Sequence, residues 1–106
     1  MANTFKNASS AGVGTSYSTV YTASSVTTVV LGMSLCNTTT ATIVVDVQFR
    51  DSGSARKMLT SVDIPAGSTL EVLSGQKYIL ESGDDIQVKS NTASSLDVVM
   101  GVMEIS

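Results

Sequence analysis

Within residues 42–50 apolar and polar positions alternate strictly from Val45 to Arg50, and Ile43 continues the apolar side. Ile43, Val45, Val47 and Phe49 fall on one side, and Asp46, Gln48 and Arg50 on the other. A repeat of two puts successive side chains on opposite faces of an extended backbone, so this stretch reads as a half-buried antiparallel strand. The same reasoning predicts strands over 27–36 and 56–64, short ones over 69–73, 77–81 and 86–90, and a last strand over 96–105. In the 56–64 strand Met58, Thr60, Val62 and Ile64 face inward, with Thr60 the polar exception. Along the last strand Leu96, Val98, Met100 and Val102 form the clearer apolar face, while Val99, Met103 and Ile105 make the other face apolar too. A strand apolar on both sides is central in its sheet, or turns its outer side toward a partner.

Between these runs the punctuation is regular. Asp51-Ser52-Gly53-Ser54 and Ser82-Gly83-Asp84-Asp85 are turns of the kind that Asp side-chain bonding and Gly backbone freedom favour. Pro65-Ala66-Gly67 interrupts the ladder, since proline has no amide proton to give it. Residues 1–26 differ from the rest. They read as an extended Ser-, Thr-, Ala- and Gly-rich segment, either an assembly arm or, at 18–22, a short strand, ahead of a sandwich domain of residues 27–106. Short strands at this spacing, with no helical period, define an all-β antiparallel sandwich of about eight strands, jelly-roll or immunoglobulin-like. Periodicity does not choose between the two.

Composition reinforces the strand reading. Ser and Thr together supply 30 of the 106 residues, and charged residues only 14%. Branching at Cβ costs Val and Thr rotamer freedom in a helix and suits a pleated surface. A chain this short buries about 65% of its unfolded surface, which leaves a thin margin and favours oligomerisation. The net charge is −3 and the six basic residues are scattered, so the clustered basic footprint of a nucleic-acid binder is missing. No apolar run approaches the roughly 20 residues of a membrane span, and no basic amphipathic stretch suits a membrane surface. The opening residues lack the apolar core of a signal peptide, which with a single cysteine, Cys36, fits synthesis in a reducing cytoplasm.

The chemistry-bearing residues point away from catalysis. The chain has no histidine and no tryptophan, which removes the commonest general base, serine activator and metal ligand. No nucleophile-base pair can be named, so we expect no enzyme, catalytic residue or cofactor. Asp84-Asp85 is the one adjacent carboxylate pair, and a turn carboxylate capping backbone amides explains it better than acid-base work. The loops at 51–54 and 83–85 offer oxygen ligands but do not match a calcium-loop pattern, so no metal is expected. Gly12-Val13-Gly14-Thr15-Ser16 lacks the lysine of a phosphate loop. The triplets at Asn7 and Asn37 match the glycosylation pattern by chance in so Ser/Thr-rich a chain. What remains is surface: Phe5, Tyr17, Tyr21, Val99 and Met103 are the candidate interface residues.

One set of motifs goes beyond composition. Ile64-Pro65-Ala66-Gly67-Ser68-Thr69-Leu70, Gly75-Gln76-Lys77, the run from Leu80 to Val88, Asp97-Val98-Val99-Met100 and Met103-Glu104-Ile105 occur in that order. With the opening Met1-Ala2-Asn3-Thr4-Phe5-Lys6-Asn7, Val13-Gly14-Thr15-Ser16 and Val20-Tyr21-Thr22, the chain resembles small virion structural proteins of tailed phages, particularly those of cyanobacteria and other marine bacteria. The resemblance implies a non-enzymatic protein made in the host bacterial cytoplasm and placed in many copies on the virion. It would be a capsid decoration or cement protein, or a neck or tail accessory protein. Its partners would be the major capsid, neck or tail proteins, and copies of itself, as a trimer at local threefold positions. The alternative is a receptor- or carbohydrate-binding module of a tail fibre.

Overall fold

A computed structural model describes residues 3–73 and 75–105. Among them lie nine strands and no helix: β1 (Asn3–Val13), β2 (Ser18–Thr22), β3 (Thr27–Asn37), β4 (Ile43–Asp51), β5 (Ser54–Ile64), β6 (Thr69–Glu71), β7 (Tyr78–Leu80), β8 (Asp85–Ser90) and β9 (Leu96–Ile105). All pairings are antiparallel. One sheet, A, runs β1-β9-β3-β6 with β7 also on β3. The other, B, runs β2-β8-β4-β5.

The order follows from a single long hairpin. Its tip is the two-residue turn Ser52-Gly53, whose φ angles of 50° and 93° match the twist of the flanking strands. From that tip β4 pairs with β5, β3 with β6 and β7, β2 with β8, and β1 with β9. The hairpin then rolls up, so that β9 also meets β3 and β8 also meets β4. That is the jelly-roll order. It excludes the immunoglobulin-like arrangement, in which the first two strands share a sheet. Here β1 and β2 lie in opposite sheets. β6 and β7 act as one interrupted strand, covering Ser34–Cys36 and Thr28–Val30 of β3.

The core fills the gap between the sheets. Val30, Met33 and Leu35 of β3 and Leu96, Val98, Met100 and Val102 of β9 meet Ile43, Val45 and Val47 of β4 and Ile86 and Val88 of β8, all buried. Each such side chain contributes about 1.5–3 kcal/mol by leaving water. β9 is central in sheet A, between β1 and β3, one of the two positions its apolar faces allowed.

Two expectations need correction. Residues 1–26 are extended, but residues 3–13 and 18–22 are built into the sandwich as β1 and β2. β1 lies along β9 and fixes its register through main-chain pairing. Apart from Phe5, Lys6 and Val13 its side chains are small or polar, so an edge strand of this kind leaves almost no periodic trace. Near its end Gly12 takes φ 62° and donates its N–H to Asp97 Oδ1 at 3.0 Å. That bulge reverses the alternation and turns Val13 into the core. Thr60 is the second correction. It is exposed, because irregularities on both sides of the Val47–Leu59 pair shift the period of β5. The Ser61 N–H is held there by Asp46 Oδ1 at 2.7 Å.

Candidate interaction surface

The two sheets turn very different faces outward. On sheet B polar side chains bond to one another across the strands. Gln48 Nε2 donates to Gln87 Oε1 at 2.7 Å, and Gln87 Nε2 to Thr19 Oγ1 at 3.0 Å. Arg50 grips Asp85 through Nε and Nη2 at 2.8 and 2.6 Å. The Lys89 ammonium lies 4.0 Å from Asp46, and Lys57 and Lys89 both stand over the Tyr17 ring, 4.9 and 4.8 Å from its centre. These contacts satisfy the surface within the chain, in a form that suits water.

Sheet A is the opposite. The register aligns Phe5 with Met103, Met103 with Val29, and Val29 with Ile79, so one apolar row crosses four strands. Phe5 is 72% exposed and Ile79 54%. On one side of this row lie Asn3, Ile105 and Thr27. On the other lie Asn7, Gly101 and Gly32. All three rows are uncharged. Leu31, the extra residue at the β3 irregularity, is exposed beside them, and Val99 stands one row further on at 54% exposure. Gly101 and Gly32 face each other, and apart from their own chain neighbours no heavy atom lies within 4 Å of the place where a Cβ would stand on either. The apolar row is therefore flanked by a furrow floored with backbone.

Of the five candidate interface residues, the structure brings three together on this face: Phe5, Met103 and Val99. Tyr17 belongs to the sheet B surface between its two lysines. Tyr21 is partly buried between the sheets, where its hydroxyl bonds Thr28 Oγ1 at 2.9 Å and donates to Glu104 Oε2. Val29, Leu31 and Ile79 join the face although residue reading had not singled them out. For Val29 and Leu31 the signal was the unbroken apolar run through Val29, Val30 and Leu31, whose middle residue alone is core. Gly32 and Gly101 carried no signal, since their meaning depends on being opposite one another.

The loops at 51–54 and 83–85, far apart in sequence, lie side by side. Asp84 is 2% exposed, and its carboxylate accepts the N–H of Ser52 and of Glu81, each at 3.0 Å. Asp85 is taken by Arg50. The pair thus works as an amide cap and an ion pair. Among the described residues no three His, Cys, Asp or Glu side chains converge as a metal site. Asn37, of the second glycosylation triplet, is wholly buried with Nδ2 donating to Ala41 O and Ile64 O at 2.8 and 2.9 Å, so a glycosyl transfer cannot reach it in the folded protein.

Glu104 closes one end of the sandwich. It accepts from Tyr21 and pairs with Lys6 at 3.0 Å, and these contacts hold its carboxyl below the usual glutamate range. Burial, with the bond to Glu104, pushes the Tyr21 hydroxyl up. A lowered carboxyl adds stability above its unfolded pKa and loses it as pH falls through the folded value. A raised phenol adds stability below its unfolded pKa and loses it as pH rises. Tyr21→Phe should therefore lower the melting temperature by a constant amount between about pH 5 and pH 9, with the gap to wild type narrowing on both sides. A gap that ignores pH in thermal melts would show that the Tyr21–Glu104 contact does not operate in solution.

No protein-family model matches the chain, and no curated protein matches it either.

Proposed function

We propose that this chain is a structural component of a tailed-phage virion, a capsid decoration or cement protein or a neck or tail accessory protein. It acts through protein–protein contacts and assembles with copies of itself. The observation that carries this reading is the outer face of sheet A, an uncharged apolar row exposed on a molecule whose other sheet is polar and internally bonded. Soluble monomers rarely leave contiguous apolar patches above a few hundred Å² in water, and larger ones mark interaction sites. The resemblance to small virion proteins supplies the setting, and the jelly roll is an architecture that capsid proteins use.

The reading is tested by adding purified protein to phage particles that lack it and pelleting them through a sucrose cushion. Saturable binding at a fixed copy number per particle is the expected result. Failure to bind heads, necks or tails at any salt concentration would remove the virion reading.

The alternative, a carbohydrate- or receptor-binding module, has one observation in its favour. A cavity of about 270 Å³ beside sheet B is lined by Thr15, Val44, Asp46, Ser61, Lys89, Ser90 and Asn91. Its Asp46 Oδ1 and Asn91 Oδ1 already accept backbone N–H groups from Ser61 and Val44, which reduces what they offer a sugar. Binding on a glycan array, lost in Lys89→Ala, would favour it.

A further inference from the structure

We infer that the outer face of sheet A binds the same face of a second copy about a two-fold axis. This deepens the virion proposal and rests on its reading of that face as a contact surface. Three observations carry it.

The first is shape. The ridge Phe5-Met103-Val29-Ile79 and the furrow over Gly101 and Gly32 are neighbouring, parallel features of one surface. A two-fold axis lying in the interface, parallel to the rows and passing over β9 between Met103 and Gly101, lays each copy's ridge along the other's furrow. That exchange, in which residue i meets j and j meets i, is what an isologous interface requires. A partner of different shape would need its own matching ridge, whereas a second copy brings one.

The second is area. Four strands about 4.8 Å apart, each rising about 3.4 Å per residue over some nine residues, present a face of about 600 Å². Two such faces together remove about 1,200 Å² from water, at the lower limit of stable specific interfaces. This suits a dimer that forms at micromolar concentration.

The third is charge. Each copy carries a net charge of −3, yet the ridge, the furrow and the row beyond the ridge are uncharged. Closing these three rows buries no ion, and Glu71 and Asp97, in the next two rows of the same face, stand at the margin of the interface, where water still reaches them. The charged side chains of sheet B stay in water on the two outer surfaces of the dimer. This two-fold arrangement differs from the trimer that capsid symmetry suggested.

The test is sedimentation velocity over a concentration series, with thermal melts as a check on folding. Wild type should show a monomer–dimer equilibrium. Met103→Lys should weaken it by about 100-fold, because a lysine in the ridge must be buried without a partner. Gly101→Leu separates fit from mere stickiness. The added side chain has open space within its own chain, so the monomer folds, and it enlarges the apolar surface. Filling the furrow should nonetheless weaken dimerisation by about tenfold or more. Stronger association in Gly101→Leu would overturn the ridge-in-furrow packing, and a wild type that remains monomeric at all concentrations would overturn the dimer. Particle pelleting of the same proteins keeps the two proposals apart. A monomeric wild type that binds particles, and loses binding in Met103→Lys, would assign the face to a virion protein and leave the functional reading standing.

Discussion

Asn37→Asp is expected to cost at least about 3–5 kcal/mol, enough to unfold a large fraction of a domain this small. The side chain is wholly buried at the end of β3 and uses its full hydrogen-bonding capacity. Nδ2 donates to the carbonyls of Ala41 and Ile64, and Oδ1 accepts from the Thr39 N–H at 2.9 Å and its hydroxyl at 2.8 Å. Aspartate keeps the acceptor and replaces the donor with an oxygen facing two carbonyl oxygens. An ionised carboxylate there has no counter-charge among these contacts, and a protonated one restores a single donor. The loss measured by urea denaturation should accordingly shrink in acid. Asn37→Ala should cost about 2–4 kcal/mol, because the buried Ile64 carbonyl and the part-buried Ala41 carbonyl lose their partner while no charge is introduced. If Asn37→Asp lost less than about 1 kcal/mol at neutral pH, the site would have to be wet or mobile in solution.

The second large effect is expected at Asp84. Asp84→Ala should lower stability by about 1–3 kcal/mol, leaving the part-buried amides of Ser52 and Glu81 without an acceptor in the protein. Asp84 gathers three connections at one end of the sandwich. Its carboxylate holds the β4–β5 turn and the start of the β7–β8 turn, while its own carbonyl accepts from Ala23 at 2.9 Å, and Gly83 donates to the Ala23 carbonyl at 2.8 Å. Asp84→Asn retains one acceptor oxygen and should lose about half as much. Amide exchange gives a local readout. Ser52 and Glu81 should lose protection in Asp84→Ala, whereas amides in the middle of β9 should change only through global stability. Unchanged protection at both positions would mean that the carboxylate is not their acceptor in solution.

Neither effect was visible in the residues, and the reason is separation along the chain. Asn37 finds Ile64 27 positions away, and Asp84 finds Ser52 32 positions away. Asn37 read as part of a polar turn, which it starts, and its burial was silent because Asn is ordinarily a surface residue. For Asp84 the type of role was legible, since a turn aspartate habitually accepts backbone amides. Which amides it accepts from was not.

The strands were legible because their signal is local. Alternation at 45–50 and 96–102 forces opposite faces on any extended chain. β9 buries the side that the pattern marks at 96–102 and β4 at 43–47, while further along β4 Phe49 is only partly buried and Gln48, on the polar side, is buried. Turns such as Asp51-Ser52-Gly53-Ser54 are local for the same reason, since they depend on which residues tolerate a positive φ. β1 escaped because pairing with β9 makes it a strand, not its own pattern. The bulges at Gly12 and Ser61 escaped too, and each reverses the faces of the residues beyond it.

The sequence by itself therefore determined an all-β sandwich, most of its strands, the inward side of the regular ones, and a last strand with apolar side chains on both faces. The tertiary structure decided the jelly-roll order, the place of residues 3–13 and 18–22 within the sheets, and the grouping of Phe5, Met103, Val29 and Ile79 into one row beside Gly101 and Gly32. The division has a physical cause. Side-chain direction along a strand is set by its immediate neighbours, whereas neighbours across a sheet are set by register, and register depends on every turn and bulge between the paired strands.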